Sequence, residues 1–189
     1  MAKKEVRKMQ ILTIALDEFV VKGFYGTSTR EIATKAQISS GLLFHYFENK
    51  ESLYHALVEM GVGKMSVDIV VASKNPKFYF EKMLEMIWSE LENNLFFAKM
   101  FILIDAAQHT KGIPEKTEEL LKSQNMFEDC IKLIECGQKF GQFRDGDAHA
   151  LCVAFLGAIQ GIAQEKVRIN TTPLPDKVWI MDIIQKKEQ

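Results

Sequence analysis

The chain has 189 residues, enough for one larger domain or a small module joined to a helical body. It is 47% hydrophobic and 10% aromatic with only 11 Gly and 4 Pro, which disfavours a disordered chain and an all-β fold. The formal net charge of -1 excludes a wholly basic polyanion binder, but residues 1–50 hold eight Lys/Arg against five Asp/Glu and are net +3, leaving -4 elsewhere.

From about Glu5 to Lys22, the residues Met9, Leu12, Ala15, Leu16 and Phe19 recur at helical spacing. They predict an amphipathic first helix that Gly23 ends. The basic start of this segment is no signal peptide, because Thr13, Asp17 and Glu18 interrupt its apolar residues. No run approaches membrane-spanning length, so a cytoplasmic protein without a membrane partner is expected.

Ser28 followed by Glu31 has the spacing of a capping box and opens a short second helix to about Ala36. Ser39 or Ser40 can cap a third helix ending near Phe47, and Asn49 can cap a fourth that passes Leu53, Leu57 and Met60. The connection between the second and third helices is only about three residues, and Ala33 is small enough to allow a close crossing. Together they predict a helix-turn-helix.

In such a motif the second helix enters the major groove with its N-terminal residues at base edges and phosphates. Ser39, Ser40 and the N–H of Gly41 are donors at a positive helix end. Leu42 suits a thymine methyl, and His45 and Tyr46 carry polar tips that reach a base or a phosphate. Leu43 and Phe47, four apart, form the buried face. A cation such as Lys50 is disfavoured in a first helical turn unless an anion, here a phosphate, compensates it. Thr29 and Arg30, at the start of the second helix, complete the residues expected to face DNA.

Beyond Met60 no β signal is found. Phe80, Met83, Leu84, Ile87 and Leu91 mark a fifth helix after Pro76, and Leu95 to Ile104 a very apolar sixth. Pro114 opens a long seventh helix with a seam of Leu120, Gln124, Phe127, Ile131 and Ile134. After the turn at Gly141 and Gly146, Leu151 to Val167 forms an eighth. A last helix carries Val178, Trp179, Ile180, Met181, Ile183 and Ile184. The expected fold is all-α, with about nine helices. A three-helix DNA-binding domain (1–48) precedes a larger helical domain (49–189).

The run from Gly23 to Leu57, "GFYGTSTREIATKAQISSGLLFHYFENKESLYHAL", resembles the DNA-binding head of the TetR family of bacterial transcription regulators. The matching residues are Gly23, Thr27, Ile32-Ala33, Ser39, Gly41, Phe44, Tyr46-Phe47, Lys50 and Leu53. The resemblance implies that Thr27, Ser39, Tyr46 and Lys50 touch phosphates, and that Ser40, Gly41, Leu42, Phe44 and His45 lie at the bases. Two positions depart from the family pattern. Gln37 stands where a Gly is usual, at a left-handed position costing a non-Gly residue on the order of 1 kcal/mol. Phe44 stands for the usual Tyr and has no hydroxyl for a phosphate.

The resemblance further implies a homodimer formed by the last two long helices, an inverted-repeat operator on double-stranded DNA, and an effector cavity in each subunit. Repression released by effector is the behaviour it leads one to expect. On the eighth helix Gly157 and Gly161, with Ala154 and Ala158 beside them, allow close helix packing, either with a second copy or within one subunit. Trp179 on the last helix joins the expected dimer face. Nine Met and thirteen Phe are many for this length. Met83, Met86, Phe97, Met100, Phe101, Phe127, Cys130 and Phe155 are the candidates for lining an apolar cavity that would take a small hydrophobic effector.

Three cysteines (Cys130, Cys136, Cys152) and four histidines (45, 55, 109, 149) show no disulfide, metal or triad spacing, so no cofactor, metal or enzymatic activity is expected. The alternative is an architectural, nucleoid-type DNA binder without an effector.

Overall fold

The computed structural model describes residues 3–65, 68–124 and 126–187, with Lys64 and Met65 described in their backbone alone. Among these residues eleven helices and one isolated bridge, Phe143 to Gln185, are present, and no strand. The chain divides into two compact units, one made of 1–64 and 99–123, the other of 65–98 and 124–189.

The first unit begins with α1 (Lys3–Gly26), which buries Ile11, Leu12, Ala15, Leu16 and Phe19 and is interrupted at Gly23 with φ 69°. That left-handed angle is available to glycine without a Cβ clash, which is why the helical pattern stops there. Then follow α2 (Thr29–Lys35), α3 (Ser40–Tyr46) and α4 (Lys50–Met65). Leu43 of α3 is 0% exposed and Ala33 of α2 2%, so the small residue sits in the core where two short helices cross. Phe19 and Phe24 of α1 close on Tyr54 of α4, with ring centroids 5.0 and 4.9 Å away. Each such ring contributes about 2 kcal/mol through burial.

The unit is completed by most of α7 (Leu95–His109) and by α8 (Glu115–Ser123). A Cβ on Gly61 would collide with Met100 and Ile104, so α4 and α7 are in direct contact through that glycine. His55 of α4 meets Thr117 of α8 at 3.1 Å, and both are buried.

The second unit holds α5 (Ile69–Ala72), α6 (Pro76–Asn93), the start of α7, α9 (Met126–Lys139), α10 (Ala148–Arg168) and α11 (Lys177–Met181). Its core is an aromatic column in which Phe80 lies edge-on to Phe143 at 5.5 Å and to Phe155 at 5.2 Å. The Trp88 indole donates to the Pro175 carbonyl at 2.7 Å and pins the loop before α11.

Several expectations are corrected here. The long seventh helix is two helices, α8 and α9. Its buried line is Thr117 and Leu121, then Cys130, Leu133, Ile134 and Gly137, in place of a seam through Leu120 and Gln124. The short α5 is an addition, and the last helix is a single turn of five residues. Ser28 makes no side-chain cap bond, and the Glu31 carboxylate pairs with Lys22 at 2.8 Å instead of closing the box. One helix, α10, is long and apolar enough to cross a membrane by length and composition, which no run was expected to be. Only 22% of its apolar window is buried within the chain.

Candidate nucleic-acid interface

The turn between α2 and α3 sets the recognition helix. The Gln37 N–H donates to Thr34 O at 3.1 Å and the Ile38 N–H to Ala33 O at 3.0 Å. These are the two reversed bonds of a Schellman cap, and they require a left-handed residue at the first position after the helix. Gln37 takes that conformation, with φ 54°. The substitution of the usual glycine therefore leaves the turn geometry intact and adds backbone strain.

The side chain of Ser39 accepts from the Leu42 N–H at 3.1 Å and caps α3. Its hydroxyl proton is still available to an outside acceptor, since the cap uses only a lone pair. Leu43 and Phe47 face inward, at 0% and 5% exposure. The outward set is Ser40, Gly41, Leu42, Phe44 and His45, all exposed, with Tyr46 half-buried beside them. Two of these are large and apolar: Leu42 is 39% exposed and Phe44 45%. Arg30 is exposed and Thr29 half-buried at the start of α2.

Two residues expected at phosphates make bonds inside the head. Thr27 is 4% exposed and its hydroxyl donates to Gly23 O at 2.7 Å and Glu18 O at 3.2 Å. Buried, with its proton shared by carbonyls at and before the kink in α1, it supports the turn from behind. The Lys50 ammonium donates to Phe24 O at 2.9 Å and Thr27 O at 3.3 Å and stands 4.5 Å from the centre of the Phe24 ring. Compensation for a cation in the first turn of α4 thus comes from carbonyls and a ring inside the head. Sequence reasoning passed over Ser28, which was assigned to capping; it is exposed, and its hydroxyl is left uncommitted by the cap. A reciprocal box does form two helices later, where Ser52 N–H donates to Asn49 Oδ1 at 2.7 Å and Asn49 N–H to Ser52 Oγ at 3.2 Å. It fixes the entry of α4 directly after the recognition helix.

The candidate effector residues divide between the two units. Met100 and Phe101 belong to the first, where Met100 is 1% exposed and packs on Gly61. Met83, Met86, Phe97, Phe127, Cys130 and Phe155 belong to the second. Phe97, Cys130 and Phe155 are buried, Met83, Phe101 and Phe127 half-buried, and Met86 is 45% exposed on the outer side of α6. A hydrogen bond with Cys152, together with burial, pushes the Cys130 thiol up, so it stays protonated and unreactive. Among the described residues no three His, Cys, Asp or Glu side chains converge as a metal site.

On α10, Ala154, Gly157 and Gly161 are exposed and Ala158 half-buried. A Cβ on Gly157 or Gly161 would meet nothing within 4 Å. Tight packing of these glycines within one subunit, left open by the sequence, is thereby removed. Trp179 is 66% exposed and Val153, also on α10, 52%.

Residues 11–57 match the family profile of bacterial regulatory proteins of the tetR family. The HTH-type transcriptional regulator YuxN of Bacillus subtilis is 25% identical over 187 residues, covering 97% of this chain; the chain spans only 62% of that relative's length. The HTH-type transcriptional repressor KstR2 of Rhodococcus jostii is 26% identical over 158 residues, 81% of this chain and 76% of the relative. Among solved structures, the ketosteroid transcriptional regulator KstR2 of Mycobacterium tuberculosis superposes with a TM-score of 0.70 at 22% identity, covering 96% of both chains, and so shares the fold.

Proposed function

We propose that this chain, which carries the DNA-binding head of the tetR family of bacterial regulatory proteins, is a ligand-responsive transcription regulator that acts as a homodimer in the cytoplasm. The observation that carries the reading is the outward face of α3. A helix stabilised only by its own domain has no reason to hold Leu42 and Phe44 in water beside Ser40, His45 and a bare Gly41 backbone. A major groove supplies thymine methyls for the first pair and base edges and phosphates for the rest. Thr29, Arg30, Ser39 and Tyr46 flank that face as phosphate contacts. Thr27 and Lys50 act behind it, fixing the turns that present it.

The functional division is a head of residues 1–48 and a body of 49–189 that binds effector and dimerises. In the body, Phe97, Phe101, Phe127, Phe155, Met83, Met100 and Cys130 are apolar and make few polar demands, which suits a small hydrophobic effector. The relatives named as ketosteroid regulator and as repressor are in keeping with a lipophilic ligand and with repression. Coupling follows if the effector prefers one setting of α4, whose first turn is held to the head by Lys50. The relatives are transcription regulators, not enzymes or architectural proteins, and nothing favours the nucleoid-type alternative.

Selection of duplexes from a random library by the purified protein tests the reading. An inverted repeat is expected. Selection of nothing above background by a folded dimer overturns it. For the ligand, apolar ring and acyl compounds are screened by thermal shift, where a compound at 100 times its Kd stabilises by about 2.7 kcal/mol. Ligand-independent melting across the whole set speaks against an effector.

A further inference from the structure

A groove beside the recognition helix is walled on one side by His45 and Tyr46 at the end of α3, and on the other by Lys3, Lys4, Val6, Arg7 and Gln10 of α1. Lys3, Lys4 and Arg7 are exposed and enter no ion pair among the described residues. Lys8 leans 5.9 Å from the centre of the Phe47 ring and holds this end of α1 against the close of α3. Four cations therefore occupy the first two turns of α1, with Glu5 the one acid in its first turn. The helix dipole disfavours positive charge at that end, so helix stability alone does not account for them.

We propose that the Lys3–Arg7 turn of α1 is a second DNA-contacting element, which grips the phosphates flanking the bases that α3 reads. It rests on the DNA-binding reading of α3 and extends it. A duplex backbone lying against His45 and Tyr46 enters the groove between them and the basic turn, where Lys3, Lys4 and Arg7 match its charge. The proposed contacts are to the backbone, which carries no sequence information directly. Each phosphate neutralised adds to counterion release, so the element sets affinity and salt response and leaves sequence choice to α3.

The test is the salt dependence of binding to a random-sequence duplex, followed by fluorescence anisotropy for the wild type and for the triple variant Lys3→Ala, Lys4→Ala, Arg7→Ala. A control variant neutralises three exposed lysines elsewhere, Lys122, Lys132 and Lys139. Circular dichroism checks that all three proteins are equally helical. The expected result is a log–log salt slope shallower by ~2.7 per bound protomer in the triple variant, at ~0.9 per lost contact, with the selected base pattern unchanged and the control near wild type. An unchanged slope overturns the proposal and leaves the α3 reading in place. An equal loss in the control also overturns it, since net charge would then be the cause. Failure of the wild type to bind any duplex overturns both.

Discussion

Gln37 holds φ at 54° in the turn on which the recognition helix depends, and the two reversed hydrogen bonds there leave it no alternative. A side chain in that region costs about 1 kcal/mol that glycine does not incur. Gln37→Gly is therefore expected to stabilise the head by about 1 kcal/mol, read as a higher urea midpoint at unchanged m-value. A lower midpoint would show that the Gln37 side chain contributes more than its backbone costs. A second residue with a defined energetic role is Glu18, 4% exposed and paired with Lys35 and, at 2.9 Å, with Lys22. The Lys35 hydrogen bond and then that of Lys22 hold its carboxyl below the ordinary 4.5. A lowered folded pKa means stability that is fully present above 4.5 and is lost as pH falls through the folded value. Both lysines stay partly in water, so Glu18→Gln should cost only about 1 kcal/mol at pH 7, with the deficit closing as pH falls below 4.5 and through the lowered folded value. Equal deficits at pH 7 and pH 3 would assign the loss to packing. The exposed placement of Leu42 and His45 on α3 was legible in the sequence from the helical spacing of the buried Leu43 and Phe47. The internal bonds of Thr27 and Lys50 were not, because their partners Gly23 and Phe24 are fixed by the break in α1 rather than by any spacing.

At the scale of elements, the short helices of the head were readable because each carries its own start and stop. Ser39 and Asn49 cap as their positions suggest, and Gly23 ends α1. The α8–α9 division was not, because Ser123 and Gln124 lack the Pro or Gly that signals a break and an apolar spacing read across a short interruption looks continuous. Another feature invisible to pattern is the attachment of the α7–α8 loop to α1. The Tyr25 hydroxyl lies 2.7 Å from Gly112 O and 3.0 Å from Lys111 O, 87 and 86 residues away, and donates its one proton between them. Gly112 has φ 72°, and a Cβ there would run into the Tyr25 oxygen. Tyr25→Phe keeps the ring and removes the bond, so it should cost about 1 kcal/mol and speed amide exchange in residues 110–113 selectively. Exchange unchanged there would mean the loop is held by Ile113, 5% exposed, without help from the hydroxyl.

At the scale of the whole molecule the uncovered element is α10, 21 residues long and apolar, with only 22% of its hydrophobic window covered by its own chain. Its exposed line of Ala154, Gly157 and Gly161 leaves a shallow strip on which a second helix can lie closely. The sequence contained the strip but not its direction; open space around both glycines shows that it faces outward. This makes Gly161→Leu a substitution with opposite consequences for the protomer and for the dimer. Within one chain, leucine replaces the poorer helix former in an exposed helix interior and should add up to about 1 kcal/mol of helix stability. Across a two-fold axis the same side chain enters the strip from both copies and holds the helices apart. Sedimentation should then show a helical monomer in place of the dimer proposed for the wild type. Binding to a full inverted repeat should fall to the level of a half-site, because one recognition helix reads too few base pairs alone. A Gly161→Leu protein that remains dimeric would place the interface elsewhere, with Trp179 and Val153 the exposed apolar residues left to form it. A monomer that still binds the full repeat as tightly as wild type would separate dimerisation from operator reading.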